Sequence, residues 1–260
     1  MGKKSFHIWE LANPTRFLII LDRIMKPLLI LTILSIAVGL YFSLFASPED
    51  YQQGATVRIM YIHVPAAWLA MFAYTVMTIA SLGTLVWKHP LADVSAKSAA
   101  PLGAAFSFIC LTTGSFWGKP MWGTWWVWDA RLTSMLILFI IYLGLMSLWR
   151  AIEDPIRAGK AVAILTLVGF VIIPIIKFSV DWWSTLHQPA TVFTMDGPKM
   201  ASSMLVPLLI MAVASTLLFT VLHLKAMKNE ILRRRIRSMQ MRAARKAGSG
   251  ATSVATPSTP

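Results

Sequence analysis

The chain of 260 residues has a single cysteine, Cys110, and few charges: acidic and basic residues together make up 13% of it, against roughly a quarter in a soluble domain. One cysteine excludes an intramolecular disulfide, a CxxC metal pair and a CxxCH attachment site. Cys110 lies in an apolar run and reads as a small lipid-buried or helix-packing residue. A structural zinc is disfavoured, since it wants four N or S ligands at short spacing. No Ser/His/Asp or Cys/His arrangement sets a nucleophile beside a base, so the chain does not read as an enzyme. Acid is the scarcest charge, with 11 Asp and Glu against 24 Lys and Arg. In a soluble protein the net charge of +13 would point to nucleic acid. Beside membrane spans, basic residues set orientation and touch anionic lipid, so the expected partner is membrane lipid and no nucleic acid.

What is abundant is apolar, 57% of the residues, in long uncharged blocks. Six runs stand out: 27–46, 59–87, 98–118, 132–149, 161–176 and 200–224, the fifth extending past Lys177 to Val180. Each approaches the roughly 20 residues needed to cross a bilayer. They are too long and too continuous for barrel strands, and only helices or closed barrels satisfy their backbone in lipid. The expected fold is all-α, an integral membrane protein of six transmembrane helices. Residues 1–26 form its N-terminus, 27–224 its membrane domain and 225–260 a basic tail. The 27–46 run is too long for a secretory signal core and reads as a retained first helix. Residues 248–260 are Gly, Ser, Thr, Pro and Ala, a composition that builds no core.

Lys and Arg settle the expected orientation. The N-terminus, the 88–97 and 150–160 turns and the tail carry nineteen of them. The 47–63, 117–131 and 181–199 loops carry four: Arg58, Lys119, Arg131 and Lys199. Both termini are therefore expected in the cytoplasm and the three loops outside, which in a bacterium is the periplasmic face of the inner membrane.

That topology sorts the histidines. His7, His89 and His223 fall on the cytoplasmic side; His63 and His187 fall outside, in the matching sequences HVPA at 63–66 and HQPA at 187–190. A proline two residues on stiffens the chain after each. Two separated imidazoles at one depth are what axial ligation of a haem iron requires. A solvated or helix-capping role is the ordinary alternative for either. On the same face lies Trp117 to Asp129, WGKPMWGTWWVWD, with five of the eleven tryptophans: Trp117, Trp122, Trp125, Trp126 and Trp128. Single tryptophans are usual at a membrane interface, but this density exceeds such a belt. Gly118, Pro120 and Gly123 are expected to break any long helix here and lay the segment along the surface, as a flat apolar shelf for a planar macrocycle. Arg58 and Arg131 are the cations available for its acidic groups. The alternatives are that Arg131 pairs with Asp129 and that Arg58 is solvated.

The stretch WGKPMWGTWWVWDARLTS resembles the WWD motif of the haem-handling family of cytochrome c biogenesis, which includes CcmC, CcmF and CcsA. Six spans, one WWD loop between helices 3 and 4 and one outer histidine on each side look like CcmC; the likeness covers about residues 15–230. The resemblance implies transient, non-covalent binding of haem b at the periplasmic face and its delivery to the haem chaperone CcmE, beside CcmD and the ABC-type subunits CcmA and CcmB. It implies His63 and His187 as axial ligands. Trp117, Trp122, Trp125, Trp126 and Trp128 would be the platform, with Gly118 and Gly123 allowing close approach. Asp129 would orient the loop or contact the chaperone, and Arg58 and Arg131 would hold the propionates. Rival readings are a transporter that itself exports haem, a bis-histidine electron carrier and a structural subunit. The first needs polar groups at mid-membrane depth, and within the expected spans only Lys177, near an outer end, is charged.

Overall fold

A computed structural model describes residues 13–189, 191–192 and 194–253, with side chains to residue 244. Among the described residues the regular structure is helical throughout: α1 (Pro14–Tyr41), α2 (Met60–Leu85), α3 (Ala92–Trp122), α4 (Ala130–Ala151), α5 (Pro155–Gly169), α6 (Ile172–Trp182) and α7 (Ser202–Ser253). A π-helical turn, Phe42–Ala46, ends α1, and a 3₁₀ turn, Ala55–Ile59, leads into α2. Six helical segments are long and apolar enough to cross a membrane, so this is a six-span protein.

The first helix begins well before the apolar run that marks it. Asn13 accepts from the Thr15 N–H at 2.9 Å and Pro14 takes the first position, where its missing N–H costs nothing. Residues 14–26, expected as part of a polar N-terminus, are therefore helical. Leu18 and Leu21 are buried there, and Leu18 packs with Leu91, Val94, Met227 and Ile231. Lys3 and Lys4 lie outside the described residues. At the other end, α7 runs on through residues 248–253, where composition suggested no structure, and 254–260 lie outside the described residues.

The fifth span is two helices. Pro174 has no N–H and its ring crowds the carbonyl four residues back, so the α-helical ladder cannot run through Phe170. The Phe170 N–H turns to the Leu167 carbonyl at 3.3 Å instead. The Thr166 carbonyl it would have met is taken by the Tyr74 hydroxyl at 3.1 Å. Tyr142 lies beside Tyr74 in the centre of the bundle and donates to the Ala70 carbonyl at 2.7 Å. Gly103 lets α3 approach this ring, since any side chain there would overlap it.

The ends of the bundle differ. At one, α7 is tied to α3 and α1 by Lys97–Glu230, Arg234–Asp93 and Lys228–Asp22 ion pairs. Asp93 also lies against Gly159 of α5. The four segments rich in basic residues thus meet at one end. The 47–63, 117–131 and 181–199 loops meet at the other, through Trp117–Gln53 and Asp129–His187.

Candidate functional site

The tryptophan-rich stretch is only half a surface loop. Contrary to the expectation that Gly118, Pro120 and Gly123 break the helix, α3 continues through Gly118 and Pro120 to Trp122. Gly123 ends it in the left-handed region, φ +74°, with its N–H on the Lys119 carbonyl at 3.0 Å. Gly118 is buried; a Cβ there would stand 3.1 Å from the Trp122 ring. Residues 124–128 are irregular, and Asp129 starts α4 by accepting from the Leu132 N–H at 2.8 Å.

His63 sits in the first turn of α2, against the end of α3. Its Nδ1 is 3.0 Å from the Cys110 carbonyl and 3.1 Å from the Thr113 hydroxyl. A carbonyl only accepts, so Nδ1 carries the proton and Nε2 keeps its lone pair. The Trp117 ring meets His63 edge to face, centroids 5.7 Å apart. Trp117 is itself tied to the 47–59 loop, donating from Nε1 to Gln53 Oε1 at 2.8 Å.

His187 is held the same way by a different acceptor. Its Nδ1 lies 2.9 Å from Asp129 Oδ2, which also accepts from the Thr185 hydroxyl at 2.8 Å. Thr185 Oγ1 takes the His187 backbone N–H at 2.9 Å and closes the turn. The Trp122 ring stands edge-on to the imidazole at 5.0 Å. Burial lowers the His187 pKa and the Arg131 charge lowers it further, against the pull of Asp129, so the ring is neutral at pH 7. Burial acts to raise the Asp129 pKa, but hydrogen bonds from Leu132, Thr185 and His187 win and hold it below the ordinary value. His187 and Arg131 both lie near enough to His63 to act on it electrostatically.

Arg131 does not pair with Asp129 in the manner of a surface ion pair. Its Nε donates to Ser179 Oγ at 3.3 Å and its Nη2 to the Lys177 carbonyl at 3.5 Å, both long bonds. Arg58 lies on the 3₁₀ turn before α2, with a buried Nε that has no hydrogen-bond partner. The other tryptophans do not extend Trp117 and Trp122 into one flat shelf. Trp126 and Trp128 cross at 78°, and the buried Trp126 Nε1 is unpartnered. Trp125 and Trp128 are exposed. Trp125 packs edge-on against Phe116, with Lys119 Nζ 6.0 Å over its ring.

Sequence reasoning missed Thr185, Thr113, Gln53 and Ser179. Thr113 left a signal: Cys110, Thr113, Gly114, Trp117 and Gly118 follow the i, i+3, i+4, i+7, i+8 spacing of one helix face. Ala190, the end of the second His-x-Pro-Ala sequence, lies outside the described residues. Chemically, the site offers two imidazoles whose Nδ1 protons are committed and whose Nε2 lone pairs are free, beside indole edges and an arginine. Among the described residues no group of three His, Cys, Asp or Glu could hold a bare metal ion. A metal that brings its own four equatorial nitrogens needs only two axial ligands.

Comparison with known proteins identifies a family. The family model described as CcmC, Heme exporter protein C, matches residues 7–242. A protein of Bradyrhizobium diazoefficiens named Heme exporter protein C is 66% identical over 232 residues, 89% of this chain and 88% of its own. Proteins of the same name from Haemophilus influenzae and Escherichia coli are 46% and 45% identical. They cover 78% and 88% of this chain and 82% and 91% of their own.

Proposed function

Because the chain belongs to the heme exporter protein C family, we propose that it holds haem b between His63 and His187 on the periplasmic side of the inner membrane and presents it to the chaperone CcmE. The proposal rests on one observation: both imidazoles give their Nδ1 proton to a fixed acceptor and so keep an unprotonated Nε2. Haem iron takes such nitrogens as axial ligands. Binding is non-covalent, which suits a cargo that must leave.

The other residues have parts in holding it. Trp117 and Trp122 stand edge-on against the two histidines and hold the rings in place. Gly118 lets Trp122 pack against its own helix, and Gly123 turns the chain into the segment that carries Trp125, Trp126 and Trp128. Exposed Trp125 and Trp128 are the indoles most available to a docking chaperone. Arg131 can exchange its two long hydrogen bonds for a propionate, and the unpartnered Arg58 Nε lacks only an acceptor. CcmD, CcmA and CcmB complete the expected assembly. Haem passage through the bundle is not part of the proposal, because fully buried Tyr74, Tyr142, Met77 and Leu138 fill its centre.

The test is the absorption spectrum of protein purified from cells that express CcmE. The wild type is expected to carry a six-coordinate haem band, altered in both His63→Ala and His187→Ala. A wild type without haem, or a band unchanged in both variants, overturns the ligand assignment.

A further inference from the structure

Asp129 has two oxygens with separate tasks. Oδ1 caps α4 through the Leu132 N–H at 2.8 Å. Oδ2 takes the Thr185 hydroxyl at 2.8 Å and faces His187 Nδ1 at 2.9 Å. Its side chain is 5% exposed, so water does not compete for these bonds. We propose that Asp129, with Thr185, is the positioning residue for His187: its carboxylate fixes the tautomer that leaves Nε2 unprotonated and sets the ring's direction. This rests on the haem-binding reading of the site and adds to it which group prepares the ligand.

The chemistry is that of a carboxylate behind a metal-ligating histidine. An ionised carboxylate can only accept, so the proton between the two must reside on Nδ1. The charge also makes the ring a stronger donor. Thr185 donates to the same oxygen and so cannot supply a proton that would reverse the tautomer. It also accepts the His187 N–H, which holds the backbone of the ligand in the same turn. Trp122, edge-on to the ring, limits its rotation.

Two substitutions separate this role from the helix cap. In Asp129→Asn the amide oxygen keeps the cap, since Asn is a good residue there. Its NH₂ then faces Nδ1, which must become the acceptor, and the proton moves to Nε2. In Asp129→Ser the hydroxyl still caps α4 but does not reach the ring. Both variants are expected to keep helix content and membrane insertion. Haem retention is expected to fall about 10- to 100-fold in each, the usual loss when such a partner is removed.

The deciding readout needs no haem. ¹⁵N NMR of histidine-labelled, haem-free protein, with His187 assigned by its loss in His187→Gln, reports which ring nitrogen is protonated. Wild type is expected to show Nδ1–H, Asp129→Asn the reverse and Asp129→Ser a mixture. An unchanged tautomer in both variants overturns the proposal and leaves Asp129 a cap only, as does wild-type haem retention in Asp129→Ser. A wild type that binds no haem, yet shows the tautomer change, overturns the haem reading and leaves the positioning pair standing.

Discussion

The His63 ring lies so close to Gly114 that a Cβ there would stand 3.0 Å from Cε1 and 3.5 Å from Nδ1. Glycine in a helix interior costs about 1 kcal/mol relative to alanine, so the position is held by the need for this approach. Gly114→Val is expected to push the ring off the Cys110 carbonyl and lower haem content well below wild type, with insertion intact. Gly114→Ala asks the ring to move only a few tenths of an ångström and is expected to fall between. Haem per protein after purification checks the order; Gly114→Val equal to wild type would show that the ring is not held there.

The six spans were legible because lipid leaves no choice but continuous apolar helices. The grouping of basic segments was legible for a related reason: α3 and α7 do meet at one end through Asp93, Lys97 and Glu230, and α1 joins them there through Asp22. Where α3 ends was not legible. Gly118 and Pro120 look like breakers in isolation, but Gly118 serves packing against Trp122, and the left-handed stop comes at Gly123. The partner of Asp129 was also hidden. Arg131 is two residues away and opposite in charge, yet the carboxylate turns to His187, 58 positions along the chain. Helix capping points it away from its neighbour, and sequence distance carries no sign of that.

The ion network at the basic end predicts a stability effect. Glu230 is buried and its Oε1 accepts from Lys97 Nζ and Arg234 Nε, both at 2.9 Å. Glu230→Gln keeps the shape but removes the charge partner of Lys97 and leaves Arg234 with Asp93 alone. Breaking a fully buried pair costs roughly 3–5 kcal/mol. Lys97 and Arg234 are 34% and 37% exposed, and water offsets part of that. The expected loss is about 1–3 kcal/mol, read from chemical denaturation in detergent. Asp22→Asn, which removes an exposed pair with Lys228, is expected to cost under about 1 kcal/mol. Equal effects would show that burial at Glu230 does not matter.

Acid should loosen the His187 turn. The pKa of His187 is lowered in the fold, mainly by burial, and that of Asp129 is lowered by its donors against burial. Between each folded value and the ordinary one, the undocked turn binds more protons than the docked one. Docking is therefore fully stable above the ordinary histidine value of 6.5 and weakens as pH falls below it. Asp129 adds its share only below 3.8. Amide exchange of residues 183–188, corrected for its intrinsic pH dependence, is expected to be level between pH 9 and 7.5 and faster at pH 5.5. Greater protection at pH 5.5 would reverse the sign and show that the charged His187–Asp129 pair is the stable form.

The two proposed ligands should not be equal. His63 is backed by the Cys110 carbonyl, which is neutral, and His187 by the Asp129 carboxylate. A charged acceptor makes the ring a stronger donor, so His187 is expected to carry more of the affinity and His63 to exchange more readily. His63→Ala should then keep more haem through purification than His187→Ala. Added imidazole should restore a six-coordinate spectrum more fully in His63→Gly, where the carboxylate-backed ligand is still in place. Asp129→Ser should bring the two histidine variants closer together, since it removes the difference between their acceptors. If His187→Ala retains more haem than His63→Ala in the wild-type background, the carboxylate does not set the order, and packing of His63 against Gly114 and Trp117 does.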